Sequence, residues 1–136
     1  MIKDSPWGAV QHQHSYCRGV TGVSTASHGG IAVADGFAHK NLSEAARSRA
    51  GFHYSGYYWY EEDCDWAIPI FELPHLWEEA FRWMPNPNNA EEHRKYLHKS
   101  LSRWNADYLI ASGIEPDPDY YAEYLQMKER WAERGA

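Results

Sequence analysis

Short apolar segments separated by glycines characterise the first third of the chain. Residues 7–16, 20–25 and 30–34 each have the length and composition of a β-strand. Gly19 follows the first segment and Gly29 precedes the third, where turns or tight bends are needed. This pattern predicts a small antiparallel meander.

The next segment changes from helical to strongly aromatic character. Residues 41–51 form a predicted helix, in which Asn41 caps the start, Glu44 lies three residues later and Gly51 follows the end. Residues 52–60 are rich in Tyr and Trp, and this composition fits either a strand or a loop that covers the core.

The spacing of apolar residues in the second half is helical. Residues 62–71 predict a helix that Pro69 bends or limits. A second apolar face, with three- and four-residue spacing, is made by Leu73, Leu76, Trp77, Ala80, Phe81 and Met84.

Two longer helices are predicted after residue 88. Asn89 and Glu92 form a capping box at the start of the first, which Gly113 ends. Asp117 and Pro118 open the second. Their apolar stripes are Leu97, Leu101, Trp104, Tyr108 and Ala111, and then Tyr120, Tyr124, Met127 and Trp131. Such helices pair as an antiparallel hairpin that covers a sheet.

Together these elements predict an α+β fold. A small antiparallel sheet from the N-terminal third packs against the C-terminal helices. The length of 136 residues suits one domain with one core, so we assign residues 1–136 to a single domain.

Charge narrows the classes of partner. The formal net charge is -6 with neutral histidines. Nonspecific nucleic-acid binding draws its affinity from Lys and Arg on phosphates, so this charge argues against it. A partner protein with a basic surface fits instead.

The N-terminus and the cysteines predict a cytoplasmic protein. Residues 1–6 lack the apolar core of a signal peptide, and no apolar run reaches the length of a membrane span. Cys17 and Cys64 are far apart and form no CxxC pair, which favours reduced thiols over a disulfide or a zinc ribbon.

Residues 57–66 are the most unusual stretch, because five aromatic residues stand against four acids. One interpretation is an interface in which Tyr and Trp anchor a partner and carboxylates meet its Arg or Lys. The other is that Trp59 and Trp66 fill the core while the acids are solvated or cap a helix. The predicted binding surface comprises Tyr57, Tyr58, Trp59, Tyr60, Glu61, Glu62, Asp63 and Asp65.

His28 is the leading candidate for catalysis. The flanking Gly29 lets a ligand or another backbone come close, and a histidine with a nearby carboxylate can act as a general base. Glu61, Glu62 or Asp63 would supply that carboxylate if the acidic segment folds back over the strand end. The alternative is a histidine that only fixes a turn by hydrogen bonds.

Cys64 and the histidine pair are weaker candidates. Asp63 and Asp65 flank Cys64 and would raise its pKa, which favours a buried structural cysteine over a nucleophile. His12 and His14 would share one face of a strand, but no four-ligand spacing accompanies them. We therefore predict no metal and no cofactor.

Four pieces in order resemble a family of uncharacterised small proteins encoded by phages, plasmids and other mobile elements. They are residues 5–8 (SPWG), 22–30 (GVSTASHGG) and 60–67 (YEEDCDWA), followed by a helix opened by proline. The resemblance covers roughly residues 5–85 and carries no activity. It implies a genomic setting in which small acidic proteins often inhibit host defence, as anti-CRISPR proteins do.

The sequence therefore favours a non-enzymatic binding protein. It would inhibit a host nucleic-acid-handling defence complex in the host-cell cytoplasm by occupying a basic surface. The alternative is a small hydrolase or transferase centred on His28 and the carboxylates of residues 61–63.

Overall fold

The structure, a computed structural model, describes residues 1–135 and confirms the α+β class. Within this range an antiparallel hairpin of two short strands accompanies a five-stranded antiparallel sheet. The hairpin pairs β1 (Asp4–Ser5) with β2 (Gly8–Ala9). The larger sheet has the order β3-β4-β5-β7-β6, with β3 His12–Cys17, β4 Val20–Ser24, β5 Gly29–Ala34, β6 Phe52–Tyr54 and β7 Tyr57–Glu61.

The predicted first strand, residues 7–16, is divided in the structure. Ser5 makes the tight turn between β1 and β2, because its Oγ accepts a hydrogen bond from Trp7 N at 3.2 Å and donates one to Gly8 O at 2.7 Å. The chain then enters β3 at His12. The aromatic segment 52–60, for which the sequence left a strand and a loop open, forms strands of the β6–β7 hairpin.

Helices occupy most of the second half. They are α1 Asp35–Asn41, α2 Glu44–Ser48, α3 Ala67–Glu72, α4 Trp77–Ala80, α5 Ala90–Trp104, α6 Ala106–Ala111 and α7 Pro118–Gly135, with a 3-10 turn at Pro74–Leu76. Asn89 caps α5 by accepting a hydrogen bond from Glu92 N at 3.1 Å, as predicted. Pro118 is the first residue of α7, also as predicted.

Three predicted helices are wrong in extent. The helix predicted at 41–51 is two helices, because Asn41 ends α1 and Ser43 caps α2 by accepting from Ala46 N at 3.1 Å. The helix predicted at 62–71 begins only at Ala67. The long helix predicted up to Gly113 is interrupted at Asn105, where α5 gives way to α6.

The larger sheet carries apolar residues on both faces. On the helical face, Val20, Val33 and Tyr60 join the main core with residues of α1 to α6, such as Leu101. The opposite face holds a smaller cluster of Val23, Ala32 and Trp59, which Ile2, Trp7, Val10 and Tyr57 partly cover. The N-terminal hairpin therefore closes the face that the helices leave open.

α7 packs on α5 with only part of its predicted stripe. Tyr124 is buried, and its hydroxyl donates to Asp107 Oδ2 at 2.9 Å. Trp131 remains 53% exposed. Among the described residues, none of the helices is both long enough and apolar enough to cross a bilayer.

Candidate functional site

The acidic segment forms a turn instead of a helix. The carbonyl of Glu61 accepts hydrogen bonds from Asp65 N and Trp66 N, both at 2.9 Å. Asn105 fixes the turn from the break between α5 and α6, because its Nδ2 donates to Cys64 O at 2.8 Å and to Asp65 Oδ1 at 3.2 Å. Because of these contacts, α3 begins only at Ala67, and residues 62–63 are exposed at the surface.

Glycines bring the three motif segments together. Glu62 N donates to Gly29 O at 3.0 Å, and a Cβ on Gly29 would lie 2.5 Å from Glu62 Oε2. A Cβ on Gly30 would lie 2.4 Å from both a ring carbon of Trp7 and the carbonyl oxygen of Tyr60. Two glycines thus allow one strand to receive the acidic turn and the tryptophan of the hairpin.

The predicted binding surface is wrong for two of its members. Trp59 and Tyr60 are both fully buried. They lie on β7, which is inside the sheet, so consecutive side chains enter the two opposite cores. The Trp59 indole donates to Tyr54 O at 2.9 Å, and the Tyr60 hydroxyl donates to Ala46 O at 2.8 Å.

The other members differ in exposure. Tyr57 and Tyr58 are half-buried, and the ring of Tyr58 stacks on His53 at 4.2 Å. Glu61 and Asp65 are half-buried in the acidic turn, and Glu62 and Asp63 are exposed. The predicted surface therefore keeps its acids but loses its central aromatic residues.

A small cleft brings His28 together with all three carboxylates of the catalytic alternative. It has a volume of about 270 Å³ and is lined by Ser24, Thr25, Ser27, His28, Gly29, Glu61, Glu62 and Asp63. His28 Nδ1 lies 2.7 Å from the carbonyl oxygen of Ser27. Since a carbonyl only accepts, Nδ1 carries the proton in the neutral ring and Nε2 keeps its lone pair. The geometry provides a potential base beside carboxylates.

The turn that holds His28 is well ordered by its own hydrogen bonds. Thr25 N donates to His28 O at 2.8 Å, and His28 N donates to Thr25 Oγ1 at 3.1 Å. These bonds match the alternative prediction of a histidine at a fixed turn. Both roles are compatible, because the ring remains exposed.

A larger cleft of about 660 Å³ lies on the other side of the acidic turn. Strand β3 contributes His12, Gln13, His14 and Tyr16 to it. The acidic turn contributes Glu62 and Asp63, which therefore line both clefts. Further lining side chains include Trp66, Glu79, Arg82, Trp83 and Tyr96.

Glu79 is already engaged inside this cleft. Its Oε1 lies 2.9 Å from Arg82 Nη1 and 2.8 Å from His14 Nε2. Glu62 and Asp63, by contrast, form no ion pair with any residue in the range 1–135 that the structure describes. The cleft thus contains two carboxylates that are available for an incoming cation.

Cys64 has the character of a structural residue. Burial, and then the charges of Asp65, Glu61 and Asp63, raise the pKa of its thiol to about 12. Burial also raises the pKa of Asp65, although the hydrogen bond from Asn105 acts in the opposite direction. The effect of the acidic neighbours on Cys64 follows the prediction, and burial is the larger cause. Cys17 and Cys64 are both free.

One group of potential metal ligands exists among the described residues. Glu61, Cys64 and Asp65 bring their donor atoms within 4.8 Å of one another. Asp65 already accepts from Asn105, and Cys64 Sγ lies 3.9 Å from Glu61 Oε2. Cys64 would have to bind a metal as a thiolate, and burial and the neighbouring acids disfavour that form, so we assign no metal to this group.

Sequence reasoning missed the aromatic wall of the larger cleft. Trp83 is 62% exposed and Tyr96 is 42% exposed, and their ring centroids are 5.7 Å apart. Tyr96 precedes the buried stripe residue Leu97 on α5. An aromatic residue beside a stripe, rather than on it, was the available signal.

Comparison with known proteins gives a family without an assigned activity. Residues 1–133 match the sequence model of a family described as a domain of unknown function (DUF7007). The match includes the C-terminal helices, which lie beyond the motifs of residues 5–67. No curated protein and no solved structure matches the chain.

Proposed function

The chain belongs to the DUF7007 family, and we propose that it is a small acidic binding protein that occupies a basic surface on a host protein without catalysis. One observation carries the proposal. Glu62 and Asp63 are exposed, line both clefts and have no ionic partner within residues 1–135. Carboxylates in this position attract Arg and Lys and steer their approach.

The proposed partner is a defence complex that handles nucleic acid. Such complexes bind phosphates through clusters of Arg and Lys, and an acidic protein can compete for those clusters. The net charge of -6 supports this competition. The resemblance of three motif segments to proteins of mobile elements supports a role against host defence, of the anti-CRISPR kind.

A phage-plating experiment with paired charge reversals tests the proposal. The host carries a CRISPR–Cas system that targets the infecting phage, and the chain is expressed in it. We expect the wild-type chain to restore plating and the double variant Glu62→Lys, Asp63→Lys to lose that effect. The matched control reverses two exposed acids of α7, Glu129→Lys and Glu133→Lys, and should keep the effect.

Two outcomes would overturn the proposal. One is full activity of the Glu62, Asp63 double variant, because the acids would then have no role. The other is failure of the wild-type chain to change plating. Circular dichroism of each purified variant confirms that the fold is intact.

A small hydrolase or transferase is the second candidate. The observation in its favour is that His28, Glu61, Glu62 and Asp63 line one cleft of about 270 Å³. A neutral His28 with its proton on Nδ1 would take a proton at Nε2 from water or a hydroxyl group of a substrate.

His28→Ala separates the two candidates. The binding proposal expects normal plating activity, since the ring contributes only to a turn. The catalytic candidate expects loss of activity in a folded variant. Loss of activity with His28→Ala, together with full activity of the Glu62, Asp63 charge reversal, would exclude the first candidate and favour the second with Glu61 as its carboxylate.

A further inference from the structure

The wall of the larger cleft is an aromatic corner, defined by Trp66, Trp83 and Tyr96. The rings of Trp83 and Tyr96 meet at 71° with centroids 5.7 Å apart. The rings of Trp66 and Tyr96 lie 6.4 Å apart at 43°. Trp83 and Tyr96 are thus nearly perpendicular, and all three rings border the same cleft.

Buried rings support this corner from behind. Phe81 is fully buried, with its centroid 5.7 Å from Tyr96 and 6.0 Å from both Trp66 and Trp83. The ring of His93 stacks on the ring of Phe81, with centroids 4.5 Å apart and an interplanar angle of 18°. The corner is therefore held in place before any ligand arrives, which lowers the entropy cost of binding.

The charges around the corner select a cation. Glu62 and Asp63 lie on the same cleft without ionic partners among residues 1–135, while Glu79 is already paired with Arg82. Aromatic faces attract cations through their negative quadrupole. Phosphate groups would meet like charge at these carboxylates, so a nucleic acid does not fit the cleft.

The planar guanidinium group fits better than an ammonium group. It stacks flat on an aromatic ring and donates two parallel hydrogen bonds to a carboxylate, whereas lysine presents a strongly hydrated point charge. This chain already uses such stacking. Arg94 lies 5.2 Å above the ring of Trp77, and Arg103 lies 5.2 Å above that of Trp104. Arg82, which lines the cleft, is paired with Glu79, so its charge is already compensated there.

We propose that the larger cleft binds an arginine side chain of the partner protein, with the aromatic corner stacking on the guanidinium group and Glu62 and Asp63 accepting its hydrogen bonds. This inference rests on the proposed function and specifies the residue type that the acidic surface recognises. The volume of about 660 Å³ holds one arginine with its flanking peptide.

Calorimetric titration with two defined peptides tests this inference. The peptides have identical Gly-Ser backbones and carry either three arginines or three lysines, so they have equal charge. We expect the arginine peptide to bind about tenfold more tightly, since a partly desolvated guanidinium group gains from stacking on the aromatic rings. Trp83→Ala should remove this preference.

Trp131→Ala provides the matched control. Trp131 is 53% exposed on α7 and does not line the cleft, so the arginine preference should persist. Equal affinities for the two peptides, or an unchanged preference in Trp83→Ala, would overturn the inference. If both peptides bind equally and the Glu62, Asp63 charge reversal weakens both, arginine selectivity fails while the proposed function survives. If neither peptide binds, the inference fails and the plating experiment alone decides the function.

Discussion

The indole of Trp7 lies so close to Gly30 that a Cβ at position 30 would stand 2.4 Å from its Cη2 atom. The carbonyl oxygen of Tyr60 would be equally close, on the neighbouring strand. The hairpin, β5 and β7 therefore meet at a point where only glycine fits.

Gly30→Ala should consequently lower the free energy of unfolding by about 1–3 kcal/mol, because backbone and indole must both move. The matched control is Gly36→Ala in α1, where an added Cβ meets nothing within 4 Å. That control should be neutral or stabilising by up to about 1 kcal/mol. Urea denaturation measures both, and equal midpoints would show that the contact is not restrictive.

Tyr108→Phe tests the hydrogen bonds that connect α3, α2 and α6. The Tyr108 hydroxyl donates to Glu72 Oε2 at 2.5 Å, and Ser43 donates to the same carboxylate from its N at 2.7 Å and its Oγ at 2.6 Å. Loss of one bond to a charged group should cost about 1.5–3 kcal/mol. Tyr54→Phe is the control. It removes an exposed hydroxyl that donates to Asp4, and it should lower the free energy of unfolding by less, since water can replace that hydrogen bond. Similar losses in both variants would contradict the assigned role of Glu72.

Asp65→Asn should stabilise the protein at neutral pH. Burial raises the pKa of Asp65 above its usual value of 3.8, so the folded state holds this proton more tightly than the unfolded chain. The free energy of unfolding therefore falls as the pH rises from 3.8 through the raised pKa of the folded state. Asparagine keeps an acceptor oxygen for Asn105 without the charge.

The pH dependence provides the check on this variant. The gain of Asp65→Asn over wild type should be present at pH 7 and disappear below about pH 3.8, where the wild-type carboxyl is neutral in both states. Asp63→Asn, at an exposed position, should show no comparable gain. Thermal denaturation at several pH values would contradict the argument if the gain persisted at low pH.

Cys64 should react slowly with iodoacetamide in the folded protein. Its pKa of about 12 leaves a very small thiolate fraction at pH 8. In a Cys17→Ser background, alkylation should accelerate by at least about a hundredfold when urea unfolds the chain. Rapid alkylation of the folded protein would show an ionised thiol and would reopen its role as a nucleophile.

Leu101→Ala measures the contribution of the main core. Leu101 is fully buried on α5, and truncation of such a side chain costs about 2–5 kcal/mol. Leu125→Ala is the control, because Leu125 is 48% exposed on α7 and should change stability by less than about 0.5 kcal/mol. Equal effects on the urea midpoint would place the stripe of α5 outside the core.

Local signals in the sequence predicted the elements whose ends depend on neighbouring residues. Asn89 caps α5, and Pro118 opens α7, since the residues that fix those ends lie within one helical turn. The strands predicted at 20–25 and 30–34 were found for the same reason, whereas the strand predicted at 7–16 is divided between β2 and β3. The break at Asn105 was missed because its partner, Cys64, lies 41 positions earlier in the chain.

The candidate site was predicted only in part. The acids Glu62 and Asp63 and the histidine of the small cleft were identified from residue type and spacing. Trp83 and Tyr96 were missed because they meet only after α5 packs beside the loop that precedes it. Burial of Trp59 depends on strand order, since β7 pairs with β5 and β6. Neither the contact between Trp83 and Tyr96 nor the strand order can be read from residues that are close in sequence.

Asn105 also bears on how sequences of this kind diverge. A single amide from the break between α5 and α6 supports both Cys64 O and Asp65 Oδ1, so the acidic turn and the distant helices share one anchor. A residue without a side-chain acceptor at position 65 removes one partner of this amide, and loss of the amide at position 105 leaves a half-buried carboxylate without its donor. Among descendants of a common ancestor, the two positions should therefore be inherited in matched pairs.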